Sequence, residues 1–289
     1  MTDTDARIID RGYRRYDGPR HGATGARRAL YIHSLQRALG LRRGARHKII
    51  PFATLALAYL PAAVFVGIVA LVPRNVADDL APRYSVYYGF ISAAILLYVA
   101  AVIPDLLCTD RRTGMLGLYL AAPLDRKSYL ATKSAAVLSV LSLITLGPPI
   151  LLLIGYSFVD LGPGWPLDGL KLVGQIVASG LVVAGWYTAL GMAVSAATDR
   201  RSWAAAGISL SVLVSSAVVA ALVEGAGGAA WLHVFDLFGL PFEAVHRIYG
   251  EASDFPDVTT ATIAVAIVGW LGVAVTFVAV RYRRLLVTK

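Results

Sequence analysis

The chain has 289 residues, 57% of them hydrophobic and 16% charged, with a mean hydropathy of +0.65. This balance excludes a soluble domain as the bulk of the protein and places it with polytopic membrane proteins. One cysteine, Cys108, excludes a disulfide framework and any multi-cysteine metal site, and the formal charge of +9 is expected to mark a membrane face rather than a nucleic-acid partner.

Residues 1–48 are a polar, arginine-rich arm, too long for a signal-peptide n-region and expected to be retained. Within its stretch GYRRYDGPR, Asp17-Gly18-Pro19 reads as a turn. Tyr13, Arg14, Arg15 and Tyr16 suit the headgroup layer, where aromatic rings and guanidinium groups meet anionic lipid. Residues 27–46 read as an amphipathic helix with Ile32, Leu35 and Leu39 on one face, an elbow along the inner leaflet.

Six stretches free of Asp, Glu, Lys and Arg follow: 49–72, 85–104, 134–159, 172–198, 202–223 and 258–280. The shortest has 20 residues, enough to span a hydrocarbon core at helical rise. The expected architecture is therefore an all-α membrane protein with a six-helix domain over 49–280 and a short tail over 281–289. Gly147-Pro148-Pro149 removes backbone donors inside the third span and is expected to bend or break it, as a hinge or as a static kink. Gly180, Ala184 and Thr188 in the fourth span, and Gly207, Ser211 and Ser215 in the fifth, form small-residue stripes suited to close helix contacts. Trp186, Tyr187 and Trp203 suit a path lining or an anchoring role.

With both termini on the cytoplasmic side, that face holds 23 of the 27 basic residues and 8 of the 18 acidic ones. This satisfies the positive-inside rule and predicts a multi-pass protein of the bacterial plasma membrane. All five histidines also lie outside the spans, so the apolar segments lack the ionisable groups that proton-coupled and many ion-coupled carriers use at depth. An energy source outside this chain is expected.

The second and third spans are joined by DLLCTDRRTGMLGLYLAAPLDRKSYLATK, residues 105–133. It reads as a helix from about Asp110, stopped by Pro123, with Asp125 capping the next helix. Met115, Leu118, Tyr119 and Ala122 fall at i, i+3, i+4 and i+7 beside the polar Asp110, Arg111 and Arg112. Such a helix suits docking in a groove on a partner, or lying on lipid headgroups.

The stretch TDRRTGMLGLYLAAPLDRKSYLATK resembles the loop after the second span of the type-2 ATP-binding cassette exporter permeases, and the six-span layout is similar along nearly the whole chain. Arg111, Arg112 and Thr113-Gly114 stand where an acidic pair followed by Gly-Thr is frequent in that family. The opening stretch also resembles the N-terminal arms of bacterial permeases of this type. The resemblance implies a permease subunit whose coupling helix, here Asp110, Arg111, Arg112, Met115, Leu118 and Tyr119, contacts a separate ATPase subunit. It also implies a second permease chain, the same or related, as partner.

The segment between the fifth and sixth spans, residues 224–257, contains AAWLHVFDLFGLPFEAVHRIYG. Its apolar residues, including Trp231, Phe235, Phe238 and Phe242, predict two short helices joined at a Gly239-Leu240-Pro241 break. The family resemblance implies a re-entrant helical pair here, with Phe235, Phe238, Pro241 and Phe242 at an outer gate; a cap without gating suits the residues equally. Glu243, His246 and Arg247 suit a polar lining or a solvated helix face.

No G-x-x-x-x-G-K-[ST], H-E-x-x-H or G-x-S-x-G motif occurs. No cofactor is expected on this chain; ATP and Mg belong to the partner, and the chain itself is not expected to be an enzyme. Two rival readings stay open: a non-transporting membrane scaffold or assembly factor, and a membrane enzyme using His233, Asp236, Glu243 and His246. Substrate class is not legible in these residues.

Overall fold

In the computed structural model the described residues are 18, 21–121, 123–164 and 166–284. Tyr13, Arg14, Arg15 and Tyr16 lie outside them, as does Ala122. The described residues form an all-helical protein: α1 (Gly22–Ala38), α2 (Arg46–Leu71), α3 (Arg74–Leu80), α4 (Tyr84–Arg112), α5 (Met115–Ala121), α6 (Arg126–Phe158), α7 (Leu167–Ala197), α8 (Arg201–Ala220), α9 (Gly239–Tyr249) and α10 (Thr260–Arg284). A π-helical turn, Ala221–Gly225, extends α8, and a 3-10 turn, Ala230–Phe235, precedes α9.

Six helices are long and apolar enough to cross a membrane: α2, α4, α6, α7, α8 with its π turn, and α10. They coincide with the six charge-free stretches, which makes this a multi-pass membrane protein by length and composition. Helix does not stop where apolarity stops, however. Pro104 lies inside α4, which continues to Arg112, and α6 begins at Arg126, eight residues before the third apolar stretch. The extra turns carry charge at the end of the bundle that holds α1 and α5.

The bundle is built on α4, α6 and α7, whose most apolar windows are 56%, 50% and 56% buried, against 22%, 17% and 17% for α2, α8 and α10. The first three are the inner helices; the others turn most of their apolar surface outward, toward lipid or another chain. Tyr87, Tyr88, Ile91, Ile95, Tyr98, Ile103, Leu106 and Leu107 are fully buried along α4. Gly180, Ala184 and Thr188 are buried where α7 meets its neighbours, while Gly207, Ser211 and Ser215 of α8 are half-buried.

Two local expectations change. Gly147-Pro148-Pro149 does not break α6, which runs unbroken from Arg126 to Phe158. Gly147 is needed for proximity: a Cβ there would lie 1.6 Å from the Tyr59 hydroxyl, which donates to the Leu143 carbonyl at 2.9 Å. The N-terminal helix spans Gly22–Ala38 rather than 27–46. It ends because the chain turns sharply: Gly40 has φ +67°, and a Cβ there would sit 2.1 Å from the His47 carbonyl oxygen. Only glycine meets both conditions. Leu35 and Leu39 pack on the core, whereas Ile32 is exposed, and Leu30, Ser34 and Ala38 form the buried stripe facing α6 and α4.

Candidate functional site

The end of the bundle carrying α1, α5 and the start of α8 concentrates the charged groups. Arg37 projects from α1 with its side chain 8% exposed. Its Nη1 donates to Asp110 Oδ1 at 2.6 Å, and its Nε to Asp105 Oδ2 at 3.3 Å. From α6, Lys133 Nζ lies 2.7 Å from Asp110 Oδ2, to which the Tyr129 hydroxyl also donates at 2.9 Å. Arg43, in the α1–α2 turn, donates to Asp105 Oδ2 at 2.8 Å, and Arg201 of α8 reaches Asp105 Oδ1 at 3.4 Å. Two carboxylates on one helix thus collect cations from α1, the following turn, α6 and α8.

Asp110 and Lys133 are fully buried. A buried ion pair adds little net stability against an apolar replacement, but removing one member strands a desolvated charge. The cluster therefore pins the relative seating of four helices. Beside it, burial together with the positive charges of Lys133 and Arg37 lowers the His33 imidazole below its ordinary 6.5. This neighbourhood resists further protonation.

Asp110 and Arg111, expected on the coupling helix, belong instead to the last turn of α4. Asp110 is inside the ion cluster. Arg111 Nη1 donates to the Ala196 carbonyl at 2.8 Å, and its Nη2 donates to the Ser195 and Thr198 carbonyls. A guanidinium here satisfies carbonyls left free at the C-terminus of α7. Arg112 is exposed at the end of α4. The helix stops because Gly114 adopts φ +71°, which reverses the chain into α5.

α5 is a two-turn helix, shorter than expected because it starts only at Met115. Its apolar stripe is divided between two faces. Leu116 is buried and the Tyr119 ring packs 5.8 Å from Tyr129 and 5.7 Å from Lys133 Nζ. Leu118 and Met115 point away, 66% and 37% exposed. Burial and the nearby Asp110 carboxylate push the Tyr119 phenol up. Asp125 caps α6 as expected, accepting from Ser128 N at 3.2 Å, and the hydrogen bonds from Ser128 hold its carboxyl below the ordinary carboxylate range.

At the opposite end, the chain break precedes Gly239 rather than falling on Gly239-Leu240-Pro241. Asp236 Oδ1 accepts from Phe238 N and Gly239 N, both at 2.9 Å, so Gly239, Leu240 and Pro241 form the first turn of α9. Proline is tolerated there because first-turn N–H groups have no intrahelical acceptor. Phe235 is 47% exposed and meets Trp231 and Trp270 edge-on. Phe238 packs edge-on against Phe242 at 5.2 Å, and Phe242 lies 6.3 Å from Tyr187. Pro241 is buried. Trp186 Nε1 donates to the Leu237 carbonyl at 3.0 Å and Trp270 Nε1 to the Val234 carbonyl at 2.9 Å, tying this segment to α7 and α10. Trp203 is 66% exposed at the start of α8.

Of the residues of the enzyme alternative, Asp236 and Glu243 have hydrogen-bond partners. Asp236 caps α9, and His233 stacks on Phe255 with centroids 3.9 Å apart. Glu243, His246 and Asp254 bring ligand atoms within 4.8 Å of one another. Glu243 is already satisfied: Oε1 accepts from Arg247 Nε at 2.5 Å and from Ser253 Oγ at 2.6 Å, and Oε2 from Asp254 N at 2.9 Å. A guanidinium occupies the role a cation would take, so these residues form a loop clasp.

Sequence reasoning missed the ion cluster. The signal was present in the register of Asp105 and Asp110 on a helix continuing past Pro104, with Tyr129 and Lys133 one turn apart on the next. The chain matches no known protein family and no curated protein significantly.

Proposed function

We propose that this chain is the permease subunit of an ATP-binding cassette exporter, working with a second permease chain and with separate ATPase subunits that bind ATP and Mg. The observation that carries the reading is α5: a short helix at the charged end of a six-span bundle, with Leu118 and Met115 outward and its other face on the Asp110–Lys133 cluster. An outward apolar pair on a firmly seated base suits a groove in a partner, and movement imposed on α5 would pass to α4, α6 and α1 through the cluster.

In this reading the charged end, with both termini, is cytoplasmic in the plasma membrane of a bacterium, in keeping with the positive-inside distribution. α1 serves as an elbow at the inner leaflet. The 3-10 turn and α9 form a re-entrant pair at the outer face, where Phe235, Phe238, Pro241 and Phe242 close the path. ATP-driven closure of the ATPase subunits moves α5 and re-tilts the spans.

The test is co-purification in mild detergent. Tagged protein is expected to bring down a Walker-motif ATPase, and Leu118→Asp to abolish that capture while leaving the folded bundle intact by thermal unfolding. Capture of no such ATPase, or unchanged capture by the folded Leu118→Asp protein, overturns the reading of α5.

A further inference from the structure

Three adjoining concavities open at the charged end between α2, α4 and α8, with volumes of about 660, 360 and 270 Å³. The first and second share Arg112 and Arg201; the second and third share Arg43, His47, Asp105 and Arg201. Side by side through these shared walls, they make up a vestibule with a basic mouth.

The carboxylates in that mouth are already engaged. Asp105 is held by Arg37, Arg43 and Arg201, and Asp199 pairs with Arg111 at 3.4 Å. Among the described residues, Arg46, Arg112 and Arg200 make no ion pair, so the mouth presents uncompensated guanidinium groups. Arg200 and Arg201 stand at the start of α8, where the helix dipole adds to the positive potential.

Above the mouth the wall changes character. Leu97, Ala100 and Ala101 lie on one face of α4, opposite Ala205 of α8, and the small side chains leave an apolar furrow. Leu97 lies seven residues inside the end of the apolar stretch at Pro104, about 10 Å at helical rise and so about a third of the way into a ~30 Å hydrocarbon core. The first concavity, lined by Arg112 and Arg200 as well as by Leu97, Ala100, Ala101 and Ala205, therefore reaches from the charged end to acyl-chain depth. A soluble anion could use only its mouth.

We infer that this vestibule is a binding site for an anionic phospholipid of the leaflet facing the charged end, with the phosphate on Arg112 and Arg200 and an acyl chain along Leu97, Ala100, Ala101 and Ala205. This takes its leaflet, but not its chemistry, from the orientation proposed above. It distinguishes a built site from the general attraction of a basic face for acidic lipid, which would spread over all exposed arginines.

The experiment uses full-length protein in nanodiscs containing phosphatidylglycerol and phosphatidylcholine, with co-retained lipid measured by native mass spectrometry. Retention of phosphatidylglycerol over phosphatidylcholine is expected. Arg112→Gln with Arg200→Gln should weaken it by about 25-fold, about fivefold per arginine, the change that ~1 kcal/mol per basic residue corresponds to. The charge-matched control, Arg283→Gln with Arg284→Gln, removes two exposed arginines elsewhere on the same face and should leave retention unchanged. Leu97→Trp, filling the furrow without altering charge, should also reduce retention, and glycerol phosphate should not compete. Equal loss in both double variants, no preference for phosphatidylglycerol, unaffected retention in Leu97→Trp, or displacement by glycerol phosphate would each overturn the assignment. None of these readouts requires an ATPase partner, so the site and the exporter reading fail separately.

Discussion

Asp110 accepts from Arg37 and Tyr129 and pairs with Lys133 while fully buried. Asp110→Ala leaves the fully buried Lys133 without its carboxylate, while Arg37 keeps Asp105, and is expected to destabilise the protein by about 3–5 kcal/mol. The comparison is Asp160→Asn, which keeps a side chain suited to the positive φ of that residue and removes a pair whose Arg74 is 71% exposed; its loss should cost no more than about 1 kcal/mol. Thermal unfolding in one detergent measures both; equal midpoints would show that the cluster does not hold the helices. Gly40→Ala is a second residue-scale test. It places a Cβ against the His47 carbonyl at positive φ and should release α1 from the bundle, read as faster proteolysis between α1 and α2.

Elements are where the helical reading met geometry. A helix after the arm was legible, but its bounds, its buried stripe and its inward arginine were not, because an arginine on the flank of an amphipathic helix ordinarily faces water or headgroups. The seating of α1 should depend on pH. Burial and the charges of Lys133 and Arg37 depress the folded-state pKa of His33, so the unfolded state binds more protons between that depressed value and 6.5. The contribution is complete above 6.5 and is lost as pH falls through the window. Protease accessibility of α1 should therefore rise on acidification from pH 7.5 toward 5, and His33→Ala should remove that part of the response. In α9 the cap comes from Asp236, three residues before the helix proper gathers its apolar face. Asp236→Ala should cost about 1 kcal/mol, seen as increased hydrogen exchange at Phe238 and Gly239.

At the scale of the whole molecule the charge distribution makes a topological prediction. Cys108 is buried and is the chain's one cysteine, so Cys108→Ser supplies a background for single labels. In intact cells a membrane-impermeant thiol reagent should modify Asp257→Cys and leave Leu118→Cys unmodified until the cells are opened. The reverse pattern would invert the orientation. The number of crossing helices and their order were legible from the sequence alone, because hydropathy over about 20 residues is a local property that the bilayer reads directly. So were the cap at Asp125 and the existence of a short helix after α4. The extent of α4 beyond its apolar stretch was not, since charged residues continue a helix when other helices supply their counter-charges. Only the tertiary structure decided that Asp105 and Asp110 face Arg37, Arg43, Lys133 and Arg201, which side of α5 is exposed, and that Arg46, Arg112 and Arg200, without an ion pair among the described residues, line concavities at the charged end. Each of these depends on which helices touch, and contact between segments far apart in the chain is set by how their surfaces fit together.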